Sequence, residues 1–464
     1  MPKTSLAPLT LALLLAGCAV TSQHPPADNP PPASFKGSTD WQRVPADVAV
    51  PEAWWTMFRD PVLDGLQADL VVGNQNLAAA LAQVASARAV LQASSAAIWP
   101  TLSLGAGTTR SASENNGNRS ISTANSLTAN AGWELDLWGR LSQGIKAAGA
   151  SYRASEADLA ALRLSAQATL TQSYFSLRAA EAQQALLVRT EAANQRALDL
   201  TQVRYTSGVA AQSDVLQART QLRSVQSQLS DARAQRAQLE HAIAAQLGKP
   251  PAQLELPPSA RLPELPPVPS LVPSTVLAQR PDIAAARARQ VAAYAQIGIA
   301  DAAFFPSLSL SASGGYRGAS WSNLVSAPNL LWSIGAAVAA PILDGGQRRL
   351  ASDQARASAD VATANYRQAV LTAFQEVEDN LVLLAESGVS LALQRDAYEA
   401  AQQNLDIVMA QYRAGTVSYL NVSTAQTALL SAEANVISSR NRQLAAASLL
   451  LKNLGGRLPP AGTP

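Results

Sequence analysis

Between Ser126 and Leu137 the chain alternates strictly. Leu127, Ala129, Ala131, Trp133, Leu135 and Leu137 fall on one side, and Ser126, Thr128, Asn130, Gly132, Glu134 and Asp136 on the other. A period of two predicts a β-strand with one apolar and one polar face. At Gly139-Arg140 the period becomes helical and holds to about Tyr205. That predicts a helix of roughly 66 residues, about 99 Å long at about 1.5 Å per residue. Ordinary globular helices average about 11–12 residues, so length is part of what this chain is for. Thr206-Ser207-Gly208 marks a turn, and a second helix over 212–247 starts back.

Upstream, Leu102, Leu104 and Ala106 alternate with Thr101, Ser103 and Gly105, and the polar run Ser111–Ser120 with Gly117 reads as a surface loop. The second half repeats the plan. Leu308, Leu310 and Ala312 alternate with serines, a Gly/Ser-rich loop follows, and Leu330, Trp332, Ile334, Ala336 and Val338 form the returning strand. Each half therefore predicts one hairpin, with strands of about 9–11 residues, the length of a tilted membrane-spanning strand whose polar face lines a lumen. Trp133, Trp332, Tyr316 and Trp321 are candidates for an interfacial aromatic girdle, and Glu134 and Asp136 are placed on the wet face. Small closed barrels need about eight strands, and open edges are not tolerated in lipid. Four strands per chain must therefore be pooled by several chains, with eight from a dimer and twelve from a trimer both allowed.

The second long helix carries a supercoil signal. Val370, Val377, Leu384, Leu391, Tyr398, Leu405 and Tyr412 recur at intervals of seven, with Phe374 and Leu381 between them. Such a seam keeps facing a partner helix with left-handed winding. In the first copy Leu170, Leu177, Leu198 and Tyr205 hold the pattern, while Gln184 and Glu191 interrupt it.

The two copies align at a constant offset of 207 residues: Gly139 with Gly346, Tyr205 with Tyr412, Gly208 with Gly415, Asp214 with Asn421 and Gly248 with Gly455. Trp99-Pro100 and Phe305-Pro306 correspond with one residue of slippage. The period is too long for a solenoid repeat, so each copy is half of one domain. Prolines avoid 101–249 and 342–458, the intervals that hold the long helices, and cluster in the tether and the linker. The predicted organisation is a signal peptide over 1–17, a Pro-rich tether over 18–51, a first repeat over 52–249, a linker over 250–273, a second repeat over 274–455 and a tail over 456–464. Within the repeats the hairpins occupy 101–137 and 307–341. The long helices occupy 139–205 and 346–413, and the returning helices 212–247 and 419–453. Val62–Ile98 reads as a helix weakened at Gly73, and Pro61 suits its first turn.

Composition removes several kinds of function. Two histidines and one cysteine leave no material for zinc sites or for Cys–His and Ser–His–Asp catalysis. A net charge of +2 without a lysine run gives no reason to propose nucleic acid, and the scattered arginines read as solvated helix faces. Three unclustered methionines speak against a thioether path for copper. No enzymatic activity and no cofactor are expected. At the amino terminus Lys3, the apolar run Leu9–Leu15 and Leu15-Ala16-Gly17-Cys18 form a signal peptide ending in a lipobox-like sequence. Cys18 is therefore the expected lipid-modified first residue of the mature protein, with the covalent lipid its only attached group.

These features together resemble the outer-membrane factor family, TolC-like channels, and within it the NodT-type efflux lipoproteins. The resemblance covers essentially the whole mature chain. It is carried by Leu-Ala-Gly-Cys18, Trp54-Trp55 with Phe58-Arg59-Asp60-Pro61, Trp99-Pro100 and Phe305-Pro306, Trp133-Glu-Leu-Asp-Leu-Trp-Gly-Arg140, Arg280-Pro281-Asp282 and the two Tyr-x-x-Gly turns. It implies a mainly α fold with a transmembrane β part: a homotrimer whose twelve strands form an outer-membrane barrel and whose helices form a periplasmic α-barrel. It also implies a passive export duct for drugs or other small molecules, completed by a periplasmic adaptor and an inner-membrane pump, in the outer membrane of a Gram-negative bacterium.

By the same resemblance the helix turns form a periplasmic gate. Asp214 matches the acid of the first copy and Tyr412 its tyrosine partner. Val417 stands where the basic partner is usual, and Asn421 and Thr424 where an acidic ring is usual. Arg413 is the candidate substitute partner for Asp214, which on its own also reads as a helix N-cap. Gly208, Val209, Gly415 and Thr416 are the expected adaptor-contacting tips. Arg280-Pro281-Asp282 reads as a helix start. The competing readings are a lipid-anchored coiled-coil scaffold without a pore and a glycan-cleaving helical enzyme, for which thin Ala-rich helices offer no cleft.

Overall fold

The structure is a computed structural model that describes residues 51–115, 118–267 and 280–455. Cys18, the tether up to residue 50 and residues 268–273 of the linker lie outside the described residues. In chain order the main elements are α1 (Pro61–Gly73), α2 (Gln75–Ala96), β1 (Thr101–Asn115), β2 (Asn118–Leu135), α3 (Arg140–Thr206) and α4 (Gln212–Gln246). They are followed by α5 (Pro281–Ala302), β3 (Ser307–Gly318), β4 (Leu330–Ala339), α6 (Gln347–Ala414) and α7 (Tyr419–Gly455). α3 and α6 contain 67 and 68 residues. The duplication is visible in the backbone: Gly139 and Gly346, and Gly208 and Gly415, take positive φ at matching points. The chain divides into two compact units, one built from 82–156 and 285–368, the other from the remaining described residues.

The first unit contains a four-stranded antiparallel sheet in the order β1-β2-β3-β4. Its register brings the apolar positions of all four strands onto one face. Leu102 pairs with Ala131 and Leu104 with Ala129. Trp133 pairs with Leu310 and Leu135 with Leu308. Ala312 pairs with Ile334 and Leu308 with Val338. The opposite face carries Thr101, Ser103, Thr128, Asn130, Ser311, Ser313 and Ser333.

Three expectations differ from the structure. The strands contain 15, 18, 12 and 10 residues, so β1 and β2 outrun the expected length. The stretch Ser111–Ser120 is mostly strand rather than loop, paired in register to Asn115–Asn118. A ladder is made by backbone groups and needs no apolar side chain, and polar cross-strand pairs such as Ser111–Ser122 (3.0 Å) support it. Asp136 also leaves the strand face. It accepts from the backbone N–H of Leu141 (2.9 Å) and Ser142 (2.7 Å), so its carboxylate holds the start of α3. Glu134 pairs with Arg140 at 2.7 Å.

The second unit contains the main core. Trp54, Phe58, Leu63 and Leu70 pack with Leu170, Phe175 and Leu177 of α3, Ile243 of α4, Val377 and Leu384 of α6, and Leu444, Leu450 and Leu451 of α7. Pro61 occupies the first turn of α1, and Asp60 caps it by accepting from Val62 N (3.0 Å) and Leu63 N (3.3 Å). The helix read over 62–98 is two helices, broken at Asn74. The cause is a close backbone approach. A Cβ on Gly73 would lie 2.1 Å from the Leu247 carbonyl oxygen, and one on Gly248 would lie 2.0 Å from the Gly73 oxygen. Asn74 fills the break: its Nδ2 donates to Gln246 O (2.7 Å) and its Oδ1 accepts from Leu77 N (3.0 Å).

Not all charges on these helices are solvated. Arg178 and Glu181 are both 3% exposed and pair at 2.7 Å. The pair belongs to a chain of contacts from Asp60 through the Tyr174 hydroxyl (2.6 Å) to Arg178, Glu181, Arg236 and Glu240. Burial alone would lower the Arg178 pKa; its bonds to Glu181 and Tyr174 outweigh that and hold it above the ordinary value. The network fastens segment 254–259 to the helices. Glu181 accepts from Ser259 N (3.0 Å), Glu240 accepts from Leu256 N (2.8 Å), and Arg236 donates to Leu256 O (2.8 Å).

Candidate functional site: the helix turns and the exposed sheet

The two turns that reverse the long helices are built alike. After α3, Gly208 (φ 75°) receives the chain, its N–H reaches Tyr205 O (2.9 Å) and the N–H of Val209 reaches Arg204 O (2.9 Å). After α6, Gly415 (φ 82°) does the same, with Gly415 N to Tyr412 O (3.0 Å) and Thr416 N to Gln411 O (3.0 Å). This is the Schellman termination, and its left-handed residue is why glycine stands there in both copies. Gly208, Val209, Gly415 and Thr416 are exposed.

The side chains of the turns are not equivalent. Tyr412 is 2% exposed. Its hydroxyl bonds Thr201 Oγ1 (2.9 Å), and its ring meets Tyr419 edge-on at 5.8 Å. The Arg204 guanidinium lies 4.7 Å from the centre of that ring. Arg204 Nη1 also donates to Tyr412 O (2.6 Å) and Arg413 O (3.3 Å). Those carbonyls lie in the last turn of α6, beyond the reach of the i+4 ladder, and Arg204 adds to the Gly415 N–H bond on Tyr412 O, so it caps one long helix from the other. A charge-assisted bond of this kind contributes about 1.5–3 kcal/mol, and a desolvated cation–π contact up to about 2 kcal/mol. Burial and the neighbouring Tyr412 push the Tyr419 phenol up to about 12. Ala197, Ala218, Tyr412, Tyr419 and Val422 form a small apolar cluster around these contacts.

The gate residues expected from the sequence are placed as follows. Asp214 is half-buried in the first turn of α4 and is not its N-cap; Ala211 is, without a side-chain bond. The Ala-Ala-Gln-Ser-Asp spacing starts the helix two residues before Asp214. Among the described residues the Asp214 carboxylate has no ion pair, and neither Tyr412 nor Arg413 reaches it. The Arg413 side chain, Asn421 and Thr424 are exposed. Val417 is half-buried and packs on the tyrosine cluster. Periodicity and motifs do not distinguish Arg204, Thr201 and Tyr419 from their neighbours. The available signal was the contrast between Arg204-Tyr205 and Gln411-Tyr412 at otherwise matching positions.

The sheet is the second candidate surface. Among the described residues its apolar face has no protein cover: Leu102, Leu104, Trp332, Ile334 and Val338 are 70–79% exposed. Trp133 and Tyr316 stand six positions apart along the β3 register, about 20 Å at about 3.3 Å per residue. Trp332 falls between those levels, opposite Gly314, so the aromatics do not form two simple rows. Trp133 Nε1 is bonded to Ile98 O (2.8 Å) and Trp321 Nε1 to Thr108 Oγ1 (3.1 Å). β1 and β4 each present one unpaired edge. Among the described residues no helix is long and apolar enough to cross a membrane, and no group of His, Cys, Asp and Glu is arranged to hold a metal ion.

Comparison with known proteins agrees with this geometry. The sequence profile described as "Outer membrane efflux protein" matches residues 68–249 and 272–456. The chain is 31% identical to the probable efflux pump outer membrane protein TtgC of Pseudomonas putida, covering 98% of this chain and 96% of that protein. Among solved structures it is similar to the outer-membrane channel OprN, with a TM-score of 0.88, 28% identity and coverage of 94% of this chain and 99% of that one. It is also similar to the MtrE outer membrane channel of Neisseria gonorrhoeae in its open state, with a TM-score of 0.83, 25% identity and coverage of 94% and 98%.

Proposed function

The chain belongs to the outer membrane efflux protein family, and from that premise we propose that it works as a homotrimeric exit duct, lipid-anchored through Cys18, for drugs or other small molecules. It is an outer-membrane efflux channel, and the pore-free scaffold fits less well. The observation that carries the pooled-barrel reading is the sheet: one continuous apolar face without cover among the described residues, and two open edges. Unpaired backbone groups in lipid cost several kcal/mol each. Three copies, edge to edge, supply twelve strands, with Leu102, Ile334 and Val338 toward lipid and the Ser/Thr/Asn face toward water. β3 and β4, with 12 and 10 residues, suit a tilted transmembrane barrel, and β1 and β2 are long enough to reach beyond it.

The long helices, with their heptad seam from Val370 to Tyr412, suit a coiled wall that extends the duct through the periplasm. The exposed turns at Gly208 and Gly415 are the surface offered to a periplasmic adaptor, which in turn connects to an inner-membrane pump. The same turns close the duct at rest, with Asp214, Tyr412, Arg413, Asn421 and Thr424 around the mouth. Conduction through such a wall needs no bond-making chemistry in this chain. Native mass spectrometry of detergent-extracted protein tests assembly and anchor together. The expected species is a trimer whose subunits each begin at Cys18 and carry acyl mass. A monomer would overturn the duct, and an unmodified Cys18 would overturn the anchor alone.

A further inference from the structure

The apolar face of the sheet is not smooth. The register sets Leu104, Ala129, Gly314 and Trp332 in one row across the four strands, and Leu102, Ala131, Ala312 and Ile334 in the next. In both rows the middle residues are small and the outer ones large. The result is a trough of about 430 Å³, floored by the small residues and walled by Leu102 on one side and by Trp332 and Ile334 on the other. A Cβ on Gly314 would meet nothing within 4 Å, so the hollow is open. Larger residues stand at both ends of it: Trp133 with Leu310 toward the helices, and Leu127 with Tyr316 away from them.

The same face carries a cation farther along β1. The alternation through Leu102, Leu104 and Ala106 puts Arg110 on this face, opposite Thr123 and beyond the last apolar row. Arg119 on β2 is matched by Glu114 across the ladder, whereas Arg110 is exposed and has no acidic residue opposite it. Arg110 lies six positions beyond Leu104 and eight beyond Leu102, which is about 20–26 Å along a strand at about 3.3 Å per residue. At a tilt of about 45° the trough lies about 14–18 Å deeper than Arg110, close to half of a hydrocarbon core about 30 Å thick. The helices join the sheet at the Thr101 and Leu135 end, so the Arg110 end is turned away from the periplasm.

We propose that each sheet holds one acylated phosphate-monoester lipid of the outer leaflet, with its phosphate at Arg110 and one acyl chain lying in the trough. This rests on the lipid-facing reading of the apolar face. An unfilled hollow loses the dispersion contacts of its lining, and a flexible acyl chain is the membrane component that fills it. A second copy of the chain does not, because pooling strands uses the edges of the sheet and leaves the face free. A guanidinium meets a phosphate through two parallel bonds, and the spacing of one leaflet lets a single molecule reach both places.

The test uses the purified full-length protein in detergent. Bound lipid is counted by native mass spectrometry after addition of phosphorylated lipid A, dephosphorylated lipid A or phosphatidylcholine. The parent is expected to keep one phosphorylated lipid A per chain and to hold the other two about tenfold more weakly, the effect of one charge-assisted bond. Arg110→Gln is expected to lose that preference. Arg317→Gln, opposite Ser126 on the wet face, is expected to keep it. Ala312→Leu fills the trough with a side chain suited to a lipid-facing site. It is expected to weaken all three lipids while the preference for phosphate survives. A parent that holds the three lipids equally, or an Arg110→Gln variant that keeps the preference, would overturn the proposal. So would an Ala312→Leu variant that binds as the parent does. A protein that stays soluble without detergent would overturn the lipid-facing reading, and the duct with it.

Discussion

Replacing Glu181 by Ala removes the acceptor at the centre of the buried ion network. Glu181 receives Arg178 Nη1 (2.7 Å), Arg236 Nε (3.0 Å) and Ser259 N (3.0 Å). Arg178 is 3% exposed, so its cation cannot turn to water. Removing one partner of a buried pair costs about 3–5 kcal/mol, most of it from the charge left behind. The effect concentrates where Glu181 acts. Segment 254–259 is tied down through Ser259 N, and through Arg236 and Glu240 at Leu256. Amide hydrogen exchange reads such local opening directly. At about 1.4 kcal/mol per tenfold, exchange across residues 254–261 is expected to accelerate by about two to three and a half orders of magnitude. Amides of the sheet are expected to stay unchanged. The double change Arg178→Met with Glu181→Leu removes both charges and is expected to recover much of the protection. Exchange within about threefold of the parent in Glu181→Ala, or a double variant as labile as the single one, would show that the buried charge does not hold this segment.

Gly248→Ala forces an L side chain into the left-handed region, at about 1–2 kcal/mol, and sets a Cβ 2.0 Å from the Gly73 oxygen. Thermal unfolding in detergent is expected to fall by several degrees, and Gly73→Ala is expected to behave alike. Asp282 is also stabilising. Partial burial would raise its pKa, but the hydrogen bond and charge of Arg280 outweigh that and hold it below 3.8. Its contribution is therefore full above the unfolded value and is lost as pH falls through the folded one. The melting difference between parent and Asp282→Asn is expected to be constant above about pH 5 and to shrink below it. On the sheet, Ile334→Arg places a charge on the apolar face and is expected to cost about 2–4 kcal/mol in folding yield into lipid. Ser311→Arg, on the polar face, is expected to insert normally.

What the sequence disclosed follows from periodicity. The switch from period two at Leu135 to a helical period after Gly139 is local, and the strand and helix lie where it puts them. The heptad from Val370 to Tyr412 marks residues that are all buried or half-buried. What stayed hidden depends on partners far along the chain. The break at Asn74 is caused by Leu247 and Gly248, and Gly73 alone looks like a weak helix residue. The polar continuation of β1 and β2 is written in backbone bonds, which leave no hydrophobic trace. Arg178 and Glu181 have the i, i+3 spacing of an exposed pair, and only the segment packed over them makes them buried. At the turns, the glycines and tyrosines were legible as a repeated pattern. Arg204 was not, because its role lies in the difference between the copies.

A water-filled path through pooled strands is read out by single-channel recording of the purified protein in planar bilayers. Discrete, uniform and mostly closed steps from a particle of trimer mass are expected. Absence of any conductance from correctly folded trimers would contradict it.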